Sequence, residues 1–291
     1  DLMFRVANAI SDEARAKYND WIRRGKHGIY QGLTFWSPNI NIFRDPRWGR
    51  GHETFGEDPY LTGQMGTQFV KGLQGDDPKY LKLVATAKHF VVHSGPESER
   101  HRFNAVPSSY DFLYTYTPHF EKAVKEADVY SVMCAYNSYQ GTPCCGNLEL
   151  SSLLRDQWKF EGYIVSDCWA IKDFYDKSAH AVVPTKEEAG AMAVRAGTDL
   201  NCGDTYPALV SAVKQGFITE KELDVSLERL LVARFKLGLF APKGANKYEN
   251  IPYSVVDSEI HRLLAQETAR KSMVLLKNEN KTLPLSKSLK R

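Results

Sequence analysis

Apolar runs and helix-periodic stretches alternate along this chain, and that alternation sets the first expectations. Phe4, Val6, Ala7, Ile10 and Ala14 recur at helical spacing and predict a helix over Leu2–Arg24. A run from Leu33 to Phe43 predicts a strand, and Pro59–Leu73 a helix. Further strands are predicted at Lys82–Val92, Val129–Ala135, Gly162–Val165 and Thr198–Leu200. Helices are predicted at Ser108–Glu126, Ser151–Trp158, Lys186–Ala196, Thr205–Gln215 and Thr219–Leu237, with Gly197, Gly216 and Gly238 as stops for the last three. Strand and helix in regular alternation is the pattern of an α/β fold. After Phe240 the pattern changes: residues 241–258 are turn-rich and read as a linker, followed by a helix over Ile260–Ser272 and a strand over Met273–Leu276.

The polar positions are as telling as the apolar ones. Four times an apolar run opens into polar or cationic residues: RDPRWGR at 44–50 after the first strand, Lys88-His89-Phe90 after the second, Tyr136-Asn137 after the third, and Asp167 after Tyr163-Ile164-Val165. A parallel β/α barrel arranges its active-site face in this way, along the C-terminal ends of its strands. Asp167 has Trp169 two residues on, and that pairing suits a sugar ring: the indole offers a flat apolar wall, and a carboxylate attacks or stabilises the anomeric carbon. The plainer alternative makes Asp167 a cap for the next helix.

Composition narrows the class. The 291 residues suffice for one barrel of about 250 residues. Hydrophobic content of 43% and charged content of 25% are ordinary for a globular domain. A net charge of +3 gives no case for nucleic acid or an anionic membrane as partner, and no apolar run approaches the ~18 residues of a membrane span. Five cysteines, an odd number without zinc spacing, exclude a complete disulfide framework; buried free thiols are one reading of them. His89 and His93 are four apart, which suits a metal on a helix. A strand through Phe90-Val91-Val92 instead holds them roughly 13 Å apart, so no metal is expected.

Several ordered motifs then carry a resemblance: Trp36-Ser-Pro-Asn39, RDPRWGR at 44–50, ETFGEDP at 53–59, KHF at 88–90, MCAYN at 133–137, GYIVSDCW at 162–169, Gly197-Thr-Asp-Leu-Asn-Cys202 and Val274-Leu-Leu-Lys-Asn278. Together they resemble the N-terminal barrel domain of glycoside hydrolase family 3, with SDC at 166–168 and DLNCG at 199–203 leaning to its β-xylosidase-like branch. The resemblance implies a (β/α)8 TIM-like barrel over residues 1–240, incomplete at its N-terminus because the family's first strand lies upstream. It also implies the start of a second, α/β sandwich domain over 259–291, and hence a fragment of a longer protein, poorly soluble alone and weak in catalysis.

By the same resemblance Asp167 is the nucleophile of a retaining exo-β-glycosidase, most directly a β-1,4-xylosidase, with a β-glucosidase as the alternative within the family. Arg50, Lys88, His89 and Tyr136 match sugar-binding positions, and Trp169 is expected to stack on the terminal sugar. The polar loop over 94–102 is either a solvated loop or brings Arg100 or His101 into contact with sugar. For Arg50 the bland alternative is a salt bridge to Asp45 or Glu53, a role expected rather of Arg44 and Arg47; Trp36 and Trp48 are expected to be framework. The acid partner matches none of the in-chain glutamates Glu53, Glu57, Glu97 and Glu99 and is expected outside this chain. Cys168 with Cys202, and Cys134 with Cys145, are the pairs the resemblance implies; if they bridge, an oxidising compartment follows, periplasmic or secreted. No cofactor is expected, the partner is a xylo- or gluco-configured oligosaccharide, and a homodimer is compatible with the reading. From a different class stands a catalytically silent sugar-binding or scaffold relative, against which five intact site residues argue.

Overall fold

The computed structural model describes residues 1–288. Five strands form its main sheet: β1 (Thr34–Phe35), β2 (Val84–Phe90), β3 (Ser131–Cys134), β4 (Tyr163–Ser166) and β5 (Thr198–Leu200). Their order in the sheet is their order in the chain, and every neighbouring pair is parallel. Helices make the crossovers: α2 (Pro59–Gln74), α3 (Pro118–Ala127), α4 (Leu148–Ser152) and α5 (Lys186–Arg195), with α1 (Leu2–Arg23) before and α6 (Leu209–Lys214), α7 (Glu220–Lys236) and α8 (Glu259–Ser272) after. Strands taken in sequence around a parallel sheet, each followed by a helix, make the wall of a TIM-like α/β barrel.

The sheet is covered on both sides, which explains its unbroken apolar runs. Val84, Ala85, Thr86 and Ala87 of β2, Val132 and Met133 of β3, and Val165 of β4 are all buried. Helix starts follow local chemistry: Asp58 accepts from the Leu61 amide at 2.6 Å ahead of Pro59, and Thr219 with Glu222 forms a reciprocal capping box on α7. Gly197, Gly216 and Gly238 take positive φ at the predicted stops. On β5, buried Asp199 accepts from Arg155 at 2.9 Å, Arg229 at 2.8 Å, Ser226 at 2.9 Å and the Ile164 amide at 2.9 Å. That carboxylate ties β4, β5, α7 and the segment after α4 into one unit.

Several elements differ from expectation. Only Thr34–Phe35 of the Leu33–Phe43 run joins the ladder, with a single further bridge from Asn39 to Lys88; beyond Ser37-Pro38 isolated backbone bonds remain, from the Lys88 amide to the Pro38 carbonyl at 3.2 Å and from the Ile40 amide to the Lys88 carbonyl at 2.9 Å. The predicted helix at Ser108–Glu126 is broken before Pro118, which has no N–H to continue it, and Phe112–Tyr116 winds as a π-turn. Leu153–Gln157 does the same. Met273–Leu276 is exposed and makes no strand, since among the described residues no neighbouring edge pairs with it. Trp48 is buried as expected of framework, but Trp36 is exposed. Residues 241–258 lie against α1: Asn19 donates to the carbonyls of Tyr248 and Glu249, at 3.0 and 3.2 Å.

Candidate active site

The C-terminal ends of β2, β3 and β4 converge on Asp167. Its amide donates to the Cys134 carbonyl at 3.2 Å, continuing the β3–β4 ladder by one residue, so the side chain leaves the sheet at a fixed point. Oδ1 accepts from the Cys168 amide at 2.8 Å, whereas Oδ2 is buried without a hydrogen-bond partner. His89 Nε2 lies 3.4 Å from that oxygen. Burial raises the pKa of Asp167, and the Cys168 amide, Arg50 and Lys88 oppose the rise. The carboxylate is therefore poorly solvated yet close to two cations.

His89 owes its position to an irregularity in β2. The register with β3 slips between Lys88 and Phe90, which takes the His89 backbone out of the ladder. Asn41 replaces the lost partners: its Oδ1 accepts from the His89 amide and its Nδ2 donates to the His89 carbonyl, both at 2.8 Å. Those two bonds fix which way the Asn41 amide faces. Oδ1 also lies 2.9 Å from His89 Nδ1, so Nδ1 carries the proton and donates. Burial lowers the His89 pKa well below its ordinary value, with neighbouring His93 and Arg50 adding to the effect, and the ring is neutral. Nε2 is then an acceptor, and Arg50 Nη1 donates to it at 2.9 Å. His89 makes no competing bond to Asp167 Oδ2.

Arg50 forms the salt bridge to Glu53 and also reaches His89. Its Nε and Nη2 hold Glu53 through two bonds of 2.6 Å, while Nη1 reaches His89. Arg47 pairs with Asp45 at 2.7 Å as expected, but exposed Arg44 makes no ion pair among the described residues. Lys88 is half-buried, and its ammonium makes no hydrogen bond or ion pair among the described residues; burial and Arg50 lower its pKa, and Asp167 and Glu53 pull it back. Tyr136 donates to the Cys168 carbonyl at 2.8 Å, and burial together with the Asp167 charge raises its pKa.

Two bridges brace the rim. Cys134–Cys145 and Cys168–Cys202 are disulfides with Cα separations of 5.1 and 4.4 Å, and Cys144 is a buried free thiol pushed up to about 12 by that burial. Beside the second bridge Trp169 takes φ of 63°, a region a bulky side chain seldom occupies, and its amide donates to the Cys202 carbonyl at 2.6 Å. The indole is exposed, two residues beyond Asp167. Arg100 does not extend freely from its loop: it pairs with Glu97 and lies 5.9 Å from the Tyr136 ring centre.

His93 is the clearest correction. The chain turns at Val91-Val92, where Val92 has φ of 54°, and brings the His89 and His93 rings to 4.8 Å rather than extended-strand separation. His93 Nδ1 sits 3.1 Å from Asn137 Oδ1, and burial pushes its pKa down to about 4. Among the described residues no group of three or more His, Cys, Asp or Glu side chains is arranged to hold a metal ion. Asn41 and Asp173 are not singled out by the sequence, while Asn137 stands at a strand end without a role assigned to it; of the first two, Asn41 carries a signal, as a polar residue between Ile40 and Ile42.

Buried polar atoms are normally satisfied. Here Asn39 Nδ2, Trp48 Nε1, His93 Nε2, Arg100 Nε and Asp167 Oδ2 all lack a protein partner and all belong to this region. Glu53, Glu97 and Glu99 are each held by an arginine, and Glu57 is exposed with no ion pair among the described residues.

The profile described as the glycosyl hydrolase family 3 N-terminal domain matches residues 22–233. A xylan 1,4-beta-xylosidase of Xylanibacter ruminicola is 46% identical over 294 residues, covering 99% of this chain and 34% of that protein. A solved GH3 exo-beta-xylosidase, in complex with a xylobiose aziridine activity-based probe, superposes with a TM-score of 0.90 at 34% identity, over 99% of this chain and 37% of that one. A β-glucosidase structure from Erythrobacter marinus gives 0.86 at 33% identity, over 98% and 36%. The chain thus spans about a third of the length of these relatives.

Proposed function

The chain belongs to glycosyl hydrolase family 3, and from that membership we propose that it carries the nucleophile of a retaining exo-β-glycosidase that removes terminal β-linked xylose from oligosaccharides. The observation that carries the reading is Asp167 Oδ2: a buried carboxylate oxygen without a partner, set between neutral His89 and the cations Arg50 and Lys88. Oδ1 is occupied by the Cys168 amide, so Oδ2 is the atom that attacks the anomeric carbon. The bond to the leaving oxygen breaks as the glycosyl–Asp167 ester forms, and a proton from a general acid goes to that oxygen. Water then attacks the ester, gives up its proton to the same group acting as base, and regenerates the carboxylate with overall retention. Lys88 donates to sugar hydroxyls and Arg50 holds His89 in place, while both cations keep Asp167 ionised. The acid itself is assigned to no glutamate of this chain.

Xylose is favoured by the relatives' names and by the SDC and DLNCG segments at the nucleophile. A β-glucosidase is the second reading, supported by the Erythrobacter marinus structure; the two sugars differ by one hydroxymethyl group, which pocket shape discriminates. Two disulfides at the site favour an oxidising compartment, periplasmic or extracellular. Assay of the full-length protein on a panel of 4-nitrophenyl β-glycosides tests the reading. The xyloside is expected to be cleaved fastest, a faster glucoside would move the assignment to the second reading, and no cleavage of any would refute it.

A further inference from the structure

Four rings climb from the floor of the site to its rim. His89 is 1% exposed, His93 5% and Tyr136 8%, and the His101 side chain is 51% exposed. Successive ring centres are 4.8, 6.3 and 4.6 Å apart. His101 closes the ladder edge-on to Tyr136. It comes from the loop after β2, and its Nδ1 lies 2.8 Å from Oδ2 of Asp173, a buried carboxylate on the loop after β4. That bond spans 72 residues of chain and joins two separate loops of the rim. It occupies Nδ1 as donor and leaves Nε2 as the one polar atom of the ring without a protein partner among the described residues.

We propose that His101 contacts the leaving-group sugar of the substrate through Nε2, with Asp173 as its positioning residue. This rests on the glycosidase reading. An exo-acting site holds the terminal sugar at its closed end, beside Asp167, His89 and Lys88. The next sugar of the chain then lies toward the open end, where His101 stands and a pre-oriented imidazole meets one of its hydroxyls. The Asp173 bond fixes the ring in advance, so little freedom is lost on binding. Neither residue touches the terminal sugar, and the pair therefore affects substrates according to what they carry on the leaving side.

The test compares xylobiose with 4-nitrophenyl β-xyloside in the full-length protein, or the corresponding gluco substrates if glucose is preferred, since the nitrophenyl group offers no sugar hydroxyl. His101→Ala is expected to lower kcat/KM on the disaccharide roughly three- to tenfold more than on the nitrophenyl glycoside, the scale of one hydrogen bond. Asp173→Ala is expected to shift the same ratio in the same direction, and to add nothing in the His101→Ala background. His101→Gln carries the comparison if circular dichroism shows the alanine variant unfolded. Equal losses on both substrates, or no loss on either, overturn the assignment. No hydrolysis of either substrate by the unaltered protein would instead overturn the glycosidase reading beneath it.

Discussion

Asp167 and Asp199 sit at adjacent strands of one sheet, both buried, and the protein treats them in opposite ways. Asp199 accepts four hydrogen bonds, two from guanidinium groups, and no lone pair of consequence is left over. Asp167 accepts one from a neighbouring amide, and its second oxygen has none. Burial alone therefore does not mark a reactive carboxylate. A carboxylate whose oxygens are all spoken for holds strands and helices together; one with a bare oxygen between a neutral imidazole and two cations retains the lone pair that chemistry requires.

The largest expected consequence of this contrast is kinetic. Asp167→Ala should lower kcat by roughly 10⁴- to 10⁶-fold, the scale of removing a nucleophile, with the thermal midpoint held or raised. Asp199→Ala should do the reverse. It leaves Arg155 and Arg229 facing each other without their shared anion, and a broken buried pair costs about 3–5 kcal/mol, read as a lowered denaturant midpoint. If Asp199→Ala were stable, or Asp167→Ala unstable, the division of roles would be wrong.

A third variant sharpens the account of Asp167's surroundings. Asn41→Ala removes the group that sets both the His89 backbone and its tautomer, and should lower kcat/KM roughly 10²-fold, the scale of a small misplacement near a reacting centre. Wild-type kinetics in that variant would mean that Arg50 alone holds the ring.

How much of this was legible in the sequence follows from the range of the interactions involved. The strand–helix alternation and the cluster of site residues at strand ends were readable, because periodicity and chain order are local. Asp167, Lys88, His89 and Tyr136 all emerge where the apolar runs stop. What sequence did not reveal depends on contacts distant in the chain. The His89–His93 separation assumed extended backbone, and a turn at Val92 defeats it. Asn41 matters only because β2 slips register 48 residues later. Asp173 reads as an ordinary loop aspartate until His101 is placed against it. Pro118 was a local signal, and the helix read through it was an avoidable error.

The smallest expected effect concerns pH. Burial lifts the folded pKa of Asp167 above the ordinary 3.8. A carboxyl group raised on folding binds its proton more tightly in the native state, so its contribution to stability is fully present below the unfolded value and is lost as pH rises through the folded one. Asp167→Asn removes that loss. Its gain in stability over the parent should be visible at neutral pH and should vanish as pH falls below the carboxylate range, as followed by denaturant midpoints at each pH. A gain that persists unchanged at low pH would have another origin.

Trapping the covalent intermediate tests the central contrast most directly. A 2-deoxy-2-fluoro-β-xyloside with a good leaving group, incubated with the full-length protein and followed by proteolysis and mass mapping, should leave its glycosyl mass on the peptide bearing Asp167, with fragmentation placing it on that carboxylate. Label on Asp199, on Glu53, or on any residue other than Asp167 would contradict the assignment of the bare oxygen as the nucleophile.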